Sequence, residues 1–551
     1  MTVSAGDAFR SRLAAAEPTE PRSLGRLIER LEAEGRFRTV RPAKEPARKT
    51  DTGPRPTIGS LQVRGLAYDS RQVRKGFLFV AIRGAHADGH SFIKKAAALG
   101  AVAAIVEEPI QAISIPQIVV DKSRRALATA ACWWYGDPSR ELGVVGITGT
   151  DGKTTTAYLA TATLEAAGIS TGMVSTAGIK VGGDRGPVPE HMTTPEAPVL
   201  QSWLLAMLEA GNTAAVVETT SHGLAQERVG GIAYDVAIFT NLSHEHLEFH
   251  GTFESYREAK LSLFRRLGKT APKSLSRPWP RTAIVNADDP TAMLLEGAAG
   301  AADARVLSYG LAETSPNAAV RASNIVDGGG SGLRFEVVTP RFRDQIELRL
   351  TGRFNVHNAL AVVALGEALD LDPHTIASGL SSVTGVPGRM ERIERGQPFT
   401  VIVDFAHSPA SLEKVLDLLR PQARGRNAGV IAVFGSAGER DTQKRPMMGK
   451  IAGERCRLVV VANEDPRGED PDTILDEIAK GAEQAGRNRG KDLLLIADRR
   501  TAIETAFAQA KPGDIVLLAG KGHEQSIIMK DGAVPWDEHT EAVDALVKMG
   551  Y

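Results

Sequence analysis

The chain has 551 residues, several times the ~150 of a typical domain, so a single hydrophobic core does not account for it. A hydrophobic content of 42 % with 55 glycines is that of an ordinary globular protein and excludes collagen-like, mucin-like and tail-like chains. Lys+Arg 66 balances Asp+Glu 66, so no global basic field holds nucleic acid or an anionic membrane, and any anion site has to be local.

Two cysteines, Cys132 and Cys456, are too few for a disulfide scaffold or a Cys-rich zinc module and suit a reducing compartment. The longest small-apolar run, Ala96 to Val106, falls short of the ~18 residues that span a bilayer. The first residues (MTVSAGDAFR) carry no apolar signal core, so the expected location is the cytoplasm.

Residues 1–21 are small, charged and aperiodic, and Arg38 to Thr57 is rich in Pro, Lys and Arg; both are expected to be disordered, and residues 1–21 dispensable for catalysis. Between them Ser23 precedes Leu24, Leu27, Ile28 and Leu31, an N-cap followed by helical spacing over about 23–35. Strand, helix and strand patterns from Leu61 to Val106 predict a small α/β domain. Leu142 to Thr148 is a β-rich run entering a Gly-containing loop and then a helical stretch from Thr154 to Ala166. Strands at Ala214 to Val217, Val236 to Thr240 and Thr282 to Val285 alternate with helical patterns, which predicts a mostly parallel sheet covered on both faces. Lys269 to Pro280 has the composition of an exposed loop insertion. After Pro387-Gly388 the alternation resumes, with apolar runs at Thr400 to Val403, Gly429 to Phe434, Leu458 to Ala462, Leu493 to Ala497 and Ile515 to Ala519, a Rossmann-like pattern without GxGxxG. The expected division is a tail and linker over 1–57 and domains over 58–141, 142–388 and 389–551.

Gly149-Thr150-Asp151-Gly152-Lys153-Thr154-Thr155 lies between strand and helix, where backbone N–H groups and the helix dipole favour phosphate. Lys153 is placed to neutralise phosphate charge and Thr154 to reach Mg²⁺. Glu218-Thr219-Thr220-Ser221-His222 and the segment Asn241 to His250 end two further strands, on the edge where open α/β sheets bind ligands. The second segment holds metal-ligand types, but its HLEFH order does not match the zinc-protease HExxH. Thr252 caps a helix in which Phe253, Tyr256, Lys260, Leu263 and Phe264 share one face, so Lys260 either turns inward or snorkels to solvent. Asp404 to His407 and Gly520 to Glu524 end strands of the last unit, and Arg440, Arg445 and Arg467 follow its strands, a set suited to carboxylate or phosphate.

The ordered segments GTDGKTTT, TTSHGLAQERV, FTNLSHEHLEFHGTF, YREAKLSLF, GRFNVHNALA, GVPGRMER and VDFAHSPASL resemble the successive signatures of the Mur ligase family, over about Asp69 to Glu524. The resemblance implies an α/β protein of three domains: a small UDP-binding domain, a central P-loop ATPase-like domain with a parallel sheet, and a Rossmann-like C-terminal domain. It implies an ATP-dependent ligase of peptidoglycan synthesis acting through an acyl phosphate. The expected substrates are ATP, UDP-N-acetylmuramoyl-L-alanyl-D-glutamate and a diamino acid, with Mg²⁺ as cofactor, and the expected state is a monomer without nucleic-acid or membrane partners.

By the same resemblance, Lys153, Glu218, His246 and Lys260 are catalytic. ATP is held by Gly149, Thr150, Asp151, Gly152, Lys153, Thr154, Thr155, Asn241, Asn358, Arg389, Asp404 and His407. Thr154, Glu218, His246 and a carbamylated Lys260 hold metal. Ser70, His86, Ala87, Thr193, Thr194, Ser221, Gln226 and Arg228 hold the UDP-substrate, and Arg445, Asp465, Arg467, Gly520 and Glu524 the amino acid. Departures from the family pattern are Asp151 for Asn, Glu245 and Glu248 for Asp, and Ser436-Ala437 for Cys-Gly. Family members that add meso-diaminopimelate carry Asp-Asn-Pro-Arg where this chain has Glu464-Asp465-Pro466-Arg467, so meso-diaminopimelate is the expected substrate, with L-lysine or L-ornithine as alternatives if Asp465 neutralises Arg467. A folylpolyglutamate synthetase-like ligase and an inactive nucleotide-dependent interaction protein are the rival functions.

Overall fold

The structure is a computed structural model and describes residues 9, 11, 13, 16–43, 57–84, 87–188, 192–243, 245–268, 271–328, 332–423 and 428–551. The chain separates into two compact units, the first formed by residues 1–323, 337–344 and 357–379, the second by 324–336, 345–356 and 380–551.

The first unit contains two larger sheets and a two-stranded one that pairs Arg22–Ser23 with Gln62–Val63. Helix α1 (Leu24–Ala33) starts where the leucine spacing predicts, although the Ser23 hydroxyl donates to the Gly59 carbonyl at 2.8 Å instead of capping the helix. Strands β1 (Phe37–Arg41), β2 (Gly65–Ala67), β3 (Phe77–Val80), β4 (Ala103–Val106) and β5 (Gln117–Val120) form a sheet in the order β1-β5-β4-β3-β2, parallel except for β1. Helix α2 (Ser123–Tyr135) packs Leu127, Ala130 and Trp134 on it and stops at Gly136, whose φ of +80° no β-carbon-bearing residue adopts cheaply.

Strand β6 (Gly143–Thr148) opens the second sheet. It is buried along its whole length, as expected of a continuous apolar run flanked by parallel neighbours. Helix α3 (Lys153–Ala166) follows it, then β7 (Thr171–Ser175), β8 (Gly178–Val181), β9 (Asp184–Gly186), α4 (Ala197–Glu209), β10 (Ala214–Glu218), β11 (Val236–Phe239), α5 (Phe253–Leu267), β12 (Thr282–Asn286), β13 (Arg305–Leu311) and β14 (Val320–Asp327). The first nine strands of this eleven-stranded sheet run β9-β8-β7-β10-β6-β11-β12-β13-β14, parallel from β7 to β14. The C-terminal ends of β6, β10 and β11 therefore lie side by side. Helix α6 (Phe354–Ala368) carries Asn358.

The second unit holds β15 (Glu391–Ile393), β16 (Thr400–Asp404), β17 (Val430–Phe434), β18 (Leu458–Val461), β19 (Leu493–Leu495) and β20 (Ile515–Ala519), in the order β15-β16-β20-β17-β18-β19, with only β15 antiparallel. Two apolar clusters cover its faces, one around Leu412, Met448 and Ile478, the other around Ile503, Phe507 and Leu546.

Two expectations need correction. Residues 38–41, expected within a disordered linker, belong to strand β1: an edge strand needs only its backbone hydrogen bonds to β5, so it carries little apolar signal. Residues 44–56 of that linker lie outside the described residues. Phe9, Leu13 and Ala16, expected in a featureless tail, are buried in the core of the central sheet; their i, i+4, i+7 spacing is a helical stripe diluted by alanines. The 271–280 loop is exposed over much of its length, as expected, and is held down where Lys273 donates to Asp235 at 2.5 Å and to the carbonyls of Leu142 and Ala233 and where Trp279 covers Gly143. Among the described residues no helix is long and apolar enough to cross a membrane.

Candidate active site

The loop after β6 folds around its own partners. Gly152 takes φ +82°, and a β-carbon there would stand 2.3 Å from Asn358 Oδ1, so glycine lets α6 approach the loop. Asn358 Oδ1 also accepts from Thr156 Oγ1 at 3.3 Å. Asn241, just past β11, clasps the loop from the other side: its Oδ1 accepts from Asp151 N at 2.9 Å, and its carbonyl accepts from Thr150 N at 2.8 Å. Lys153 starts α3 and donates to the Thr150 carbonyl at 2.8 Å. Thr154 and Thr155 are buried in the first turn.

Glu218 ends β10 and is 1 % exposed. Its carboxylate accepts from Thr154 Oγ1 at 3.1 Å and from the backbone and hydroxyl of Thr176 at 2.9 Å. Thr193 Oγ1 lies 2.9 Å from Thr176 Oγ1, and Thr194 Oγ1 donates to the Glu218 carbonyl at 3.0 Å. Arg228 donates to the Thr194 carbonyl at 2.9 Å and to Gln226 Oε1 at 2.6 Å. Thr193, Thr194, Gln226 and Arg228 thus gather beside the loop. Ser221 follows Thr220, whose hydroxyl donates to Thr194 Oγ1 at 3.1 Å, and its own Oγ is 3.0 Å from His250 Nε2.

Tyr256 on α5 is the residue whose importance the sequence did not signal beyond helical spacing. Its hydroxyl is 2.9 Å from Thr150 Oγ1, Lys260 Nζ lies 4.5 Å over its ring, and the His246 and His250 rings stand 6.2 Å and 5.2 Å away. Lys260 has turned inward: it is 2 % exposed and donates to the Gly149 carbonyl at 2.6 Å. Burial, reinforced by Lys153, holds its amine well below the ordinary lysine range. His246 has a left-handed backbone (φ +56°) and meets the His222 ring edge-on at 4.7 Å. Burial, with His246 and His250 nearby, pushes His222 down to about 3.

Oxygen donors at Thr154 and Glu218 suit a hard cation such as Mg²⁺. Among the described residues no three His, Cys, Asp or Glu side chains are gathered closely enough to hold a metal, and Glu218 and His246 make no hydrogen bond or ion pair with each other. In the first sheet, Ser70 is buried past β2 and Ala87 follows β3, its carbonyl accepting from Gly84 N at 2.9 Å; His86 lies outside the described residues.

The second unit presents its own edge. Asp404 ends β16 and accepts from Met390 N and Ala406 N, each at 2.8 Å. Phe405 stacks between neighbours, with the Arg389 guanidinium 4.8 Å from its ring and His407 and His523 at 4.6 Å and 4.8 Å. Arg389, Asp404 and His407 are therefore together. Further along the edge, Gly520 follows β20, and Asp465 and Arg467 follow β18. Lys521 donates to Asp465 at 2.8 Å and Glu524 at 2.5 Å, and burial raises the Glu524 carboxyl. Arg445, also expected at the amino-acid end, is buried. It is 1 % exposed, and its terminal nitrogens hold Glu469, Glu477 and the Ala437 carbonyl, so it braces helix α7 (Lys444–Arg455) internally.

Three family models match in chain order: the Mur ligase family catalytic domain over residues 62–135, the Mur ligase middle domain over 147–366, and the Mur ligase glutamate ligase domain over 388–522. A UDP-N-acetylmuramyl-tripeptide synthetase of Roseiflexus sp. (strain RS-1) is 48 % identical over 89 % of this chain and 96 % of its own length. The chain belongs to the Mur ligase family. It is an ATP-dependent, amide-bond-forming ligase of peptidoglycan synthesis with the family's three α/β domains. A UDP-N-acetylmuramoyl-L-alanyl-D-glutamate--2,6-diaminopimelate ligase of Bacillus velezensis is 40 % identical over 90 % of this chain and 95 % of its own. A solved Mur ligase structure of that same description aligns at a TM-score of 0.61 and 30 % identity, covering 91 % of this chain and 98 % of that one. A Mycobacterium tuberculosis folylpolyglutamate synthase, at 21 % identity and a TM-score of 0.56 over 72 % of this chain and 92 % of its own, shares the fold.

Proposed function

We propose that this Mur ligase joins meso-diaminopimelate to UDP-N-acetylmuramoyl-L-alanyl-D-glutamate, in the cytoplasm and as a monomer, with domains bounded near 58–141, 142–388 and 389–551. One observation at the amino-acid end carries the choice. Arg467 Nε and Glu464 Oε2 are both buried without a hydrogen-bond partner among the described residues, an unsatisfied donor of a cation and an unsatisfied acceptor of an anion on one loop. Lysine brings only an ammonium to such a pair. The far end of meso-diaminopimelate brings a carboxylate as well. The Bacillus velezensis relative named for 2,6-diaminopimelate agrees with this reading.

In the proposed reaction an oxygen of the D-glutamate side-chain carboxylate attacks the γ-phosphorus of ATP, and the bond to the bridging oxygen breaks to give ADP. The amine of the incoming amino acid then attacks the acyl carbon; the C–O bond to phosphate breaks, phosphate leaves and the amine loses a proton. The loop Gly149 to Thr155 and Asn241 orient the phosphates through backbone N–H groups and Lys153. Asn358, Arg389, Asp404 and His407 are assigned to the nucleotide, and Ser70, His86, Ala87, Thr193, Thr194, Ser221, Gln226 and Arg228 to the UDP-substrate. Arg445, Asp465, Arg467, Gly520 and Glu524 are assigned to the amino acid. Thr154, Glu218, His246 and carbamylated Lys260 would hold Mg²⁺, which, when bound, neutralises developing phosphoryl charge.

The test offers the enzyme meso-diaminopimelate, L-lysine and L-ornithine at equal concentration with ATP and the UDP-dipeptide. Predominant diaminopimelate product that falls sharply in Arg467→Ala is expected. Predominant lysine or ornithine product overturns the choice of substrate and leaves the ligase class standing.

A further inference from the structure

Resting on that substrate assignment, we infer that Lys521 is a positioning residue for specificity: it holds Asp465 and Glu524 together and so keeps both carboxylates off Arg467. Lys521 is fully buried, with its Nζ 2.8 Å from Asp465 Oδ1 and 2.5 Å from Glu524 Oε2. Asp465 Oδ1 accepts a second hydrogen bond, from Ile528 N at 2.9 Å. The carbonyl of that same Ile528 accepts from Arg467 N, also at 2.9 Å. Asp465 and Arg467 are thus pinned to one residue of the neighbouring strand Ser526–Met529, yet among the described residues their side chains make no ion pair. Arg467 holds this pose with a left-handed backbone (φ +54°), a conformation that β-carbon-bearing residues adopt only where surroundings enforce it.

Electrostatics explains why a lysine is needed. Asp465 places a full negative charge two residues from Arg467, the arginine assigned to the substrate carboxylate. In a buried setting an uncompensated carboxylate is costly and seeks the nearest cation. Without Lys521, Arg467 is the cation that the backbone fastens to the same strand residue as Asp465, and its guanidinium, closing on Asp465, would lose its affinity for a substrate carboxylate. An ammonium-ended substrate would gain from the same change, because Glu524 would face it without the Lys521 ammonium, beside Glu464. Lys521 therefore lets an aspartate stand beside Arg467 without changing the amino acid that is accepted.

The experiment measures KM and kcat for meso-diaminopimelate and for L-lysine in the full-length enzyme and in Lys521→Met, Asp465→Asn and the double variant. Lys521→Met is expected to raise KM for diaminopimelate at least tenfold, to change kcat less than threefold and to lower the diaminopimelate-to-lysine ratio of kcat/KM at least tenfold. In the Asp465→Asn background the same substitution should raise KM less than threefold, since the carboxylate that Lys521 restrains is gone. Equal losses for both amino acids, a loss confined to kcat, or a Lys521→Met effect undiminished in the Asp465→Asn background overturns the inference. If Lys521→Met loses its cooperative melting transition, Lys521→Arg decides: retained preference supports the inference, and an inverted preference overturns it. A native enzyme that prefers lysine overturns the substrate assignment, while coupling between positions 521 and 465 still reports on the positioning role.

Discussion

Lys260 donates its Nζ proton to the Gly149 carbonyl at 2.6 Å, tying the middle of helix α5 to the first residue of the phosphate loop. A carbamate formed from neutral Nζ and CO₂, with release of a proton, keeps one N–H for that carbonyl and gains a carboxylate-like group. Burial that holds the amine below its ordinary range favours the neutral form on which carbamate formation depends. Lys260→Ala is expected to lose ligation at least 100-fold and to recover partly in formate or acetate, which supply the missing carboxylate. Steady-state assays across a formate titration check this. Full activity without added carboxylate sinks the catalytic assignment, and inactivity at every formate concentration sinks the carbamate.

Lys153→Ala is expected to abolish ADP formation while leaving the melting temperature within a few degrees. The Lys153 ammonium touches the Thr150 carbonyl of its own loop, not the apolar core, so its removal empties no packed volume. Its electrostatic role toward phosphate corresponds to a rate loss of about 10²–10³ or more. Coupled-enzyme detection of ADP, with circular dichroism on the same sample, separates a lost function from a lost fold. Near-native ADP release by the folded variant would reject the phosphate role.

The parts most legible in the sequence were those where one residue type has one use. The run Leu142 to Thr148 followed by GTDGK announced β6, the loop and α3, because a buried parallel strand and a phosphate loop each constrain composition tightly. Lys260 was legible as a position on a helix face, but whether it turned inward depended on Gly149, which is distant in sequence. Tyr256 gave no signal beyond apolar spacing, since its role is to touch Thr150, Lys260 and two histidines at once. Arg445 is a related case: a guanidinium suited to a ligand carboxylate is equally suited to Glu469 and Glu477, and only tertiary structure shows that these two hold it. Strand β1 was lost because backbone pairing at a sheet edge leaves no apolar record.

Glu218→Gln is expected to raise the Mg²⁺ concentration required for half-maximal rate at least tenfold and to lower kcat. The carboxylate accepts from Thr154 and twice from Thr176; glutamine preserves the shape but exchanges one acceptor oxygen for a donor. Mg²⁺ titrations of initial rate in native and variant enzyme provide the check. An unchanged Mg²⁺ requirement alongside reduced kcat would leave Glu218 as a brace for the Thr193-Thr194 segment and remove it from the metal site.

The amino-terminal residues give the last prediction, and it reverses the expectation that a featureless tail can be dispensed with. Phe9 is 2 % exposed and packs with Leu13 and Ala16 into the cluster that contains Val174, Ile179, Val181, Trp203 and Met207. Its ring occupies the space above Gly186, where a β-carbon would come within 2.2 Å of it, so the last residue of β9 is shaped to receive an aromatic side chain. Glu17 adds a polar fastening by accepting from the Tyr135 hydroxyl at 2.6 Å. Truncating a buried phenylalanine to alanine costs about 3–5 kcal/mol where the cavity cannot collapse, and less where a terminal segment can relax. Phe9→Ala is therefore expected to destabilise the first unit by about 2–4 kcal/mol, read from urea unfolding, with the denaturant slope unchanged. Deletion of residues 1–17 should do at least as much. It should also raise KM for the UDP-dipeptide, because β9 leads along the chain to Thr193 and Thr194. Urea midpoints and KM values indistinguishable from native in both variants would show that the segment rests on the sheet without supporting it.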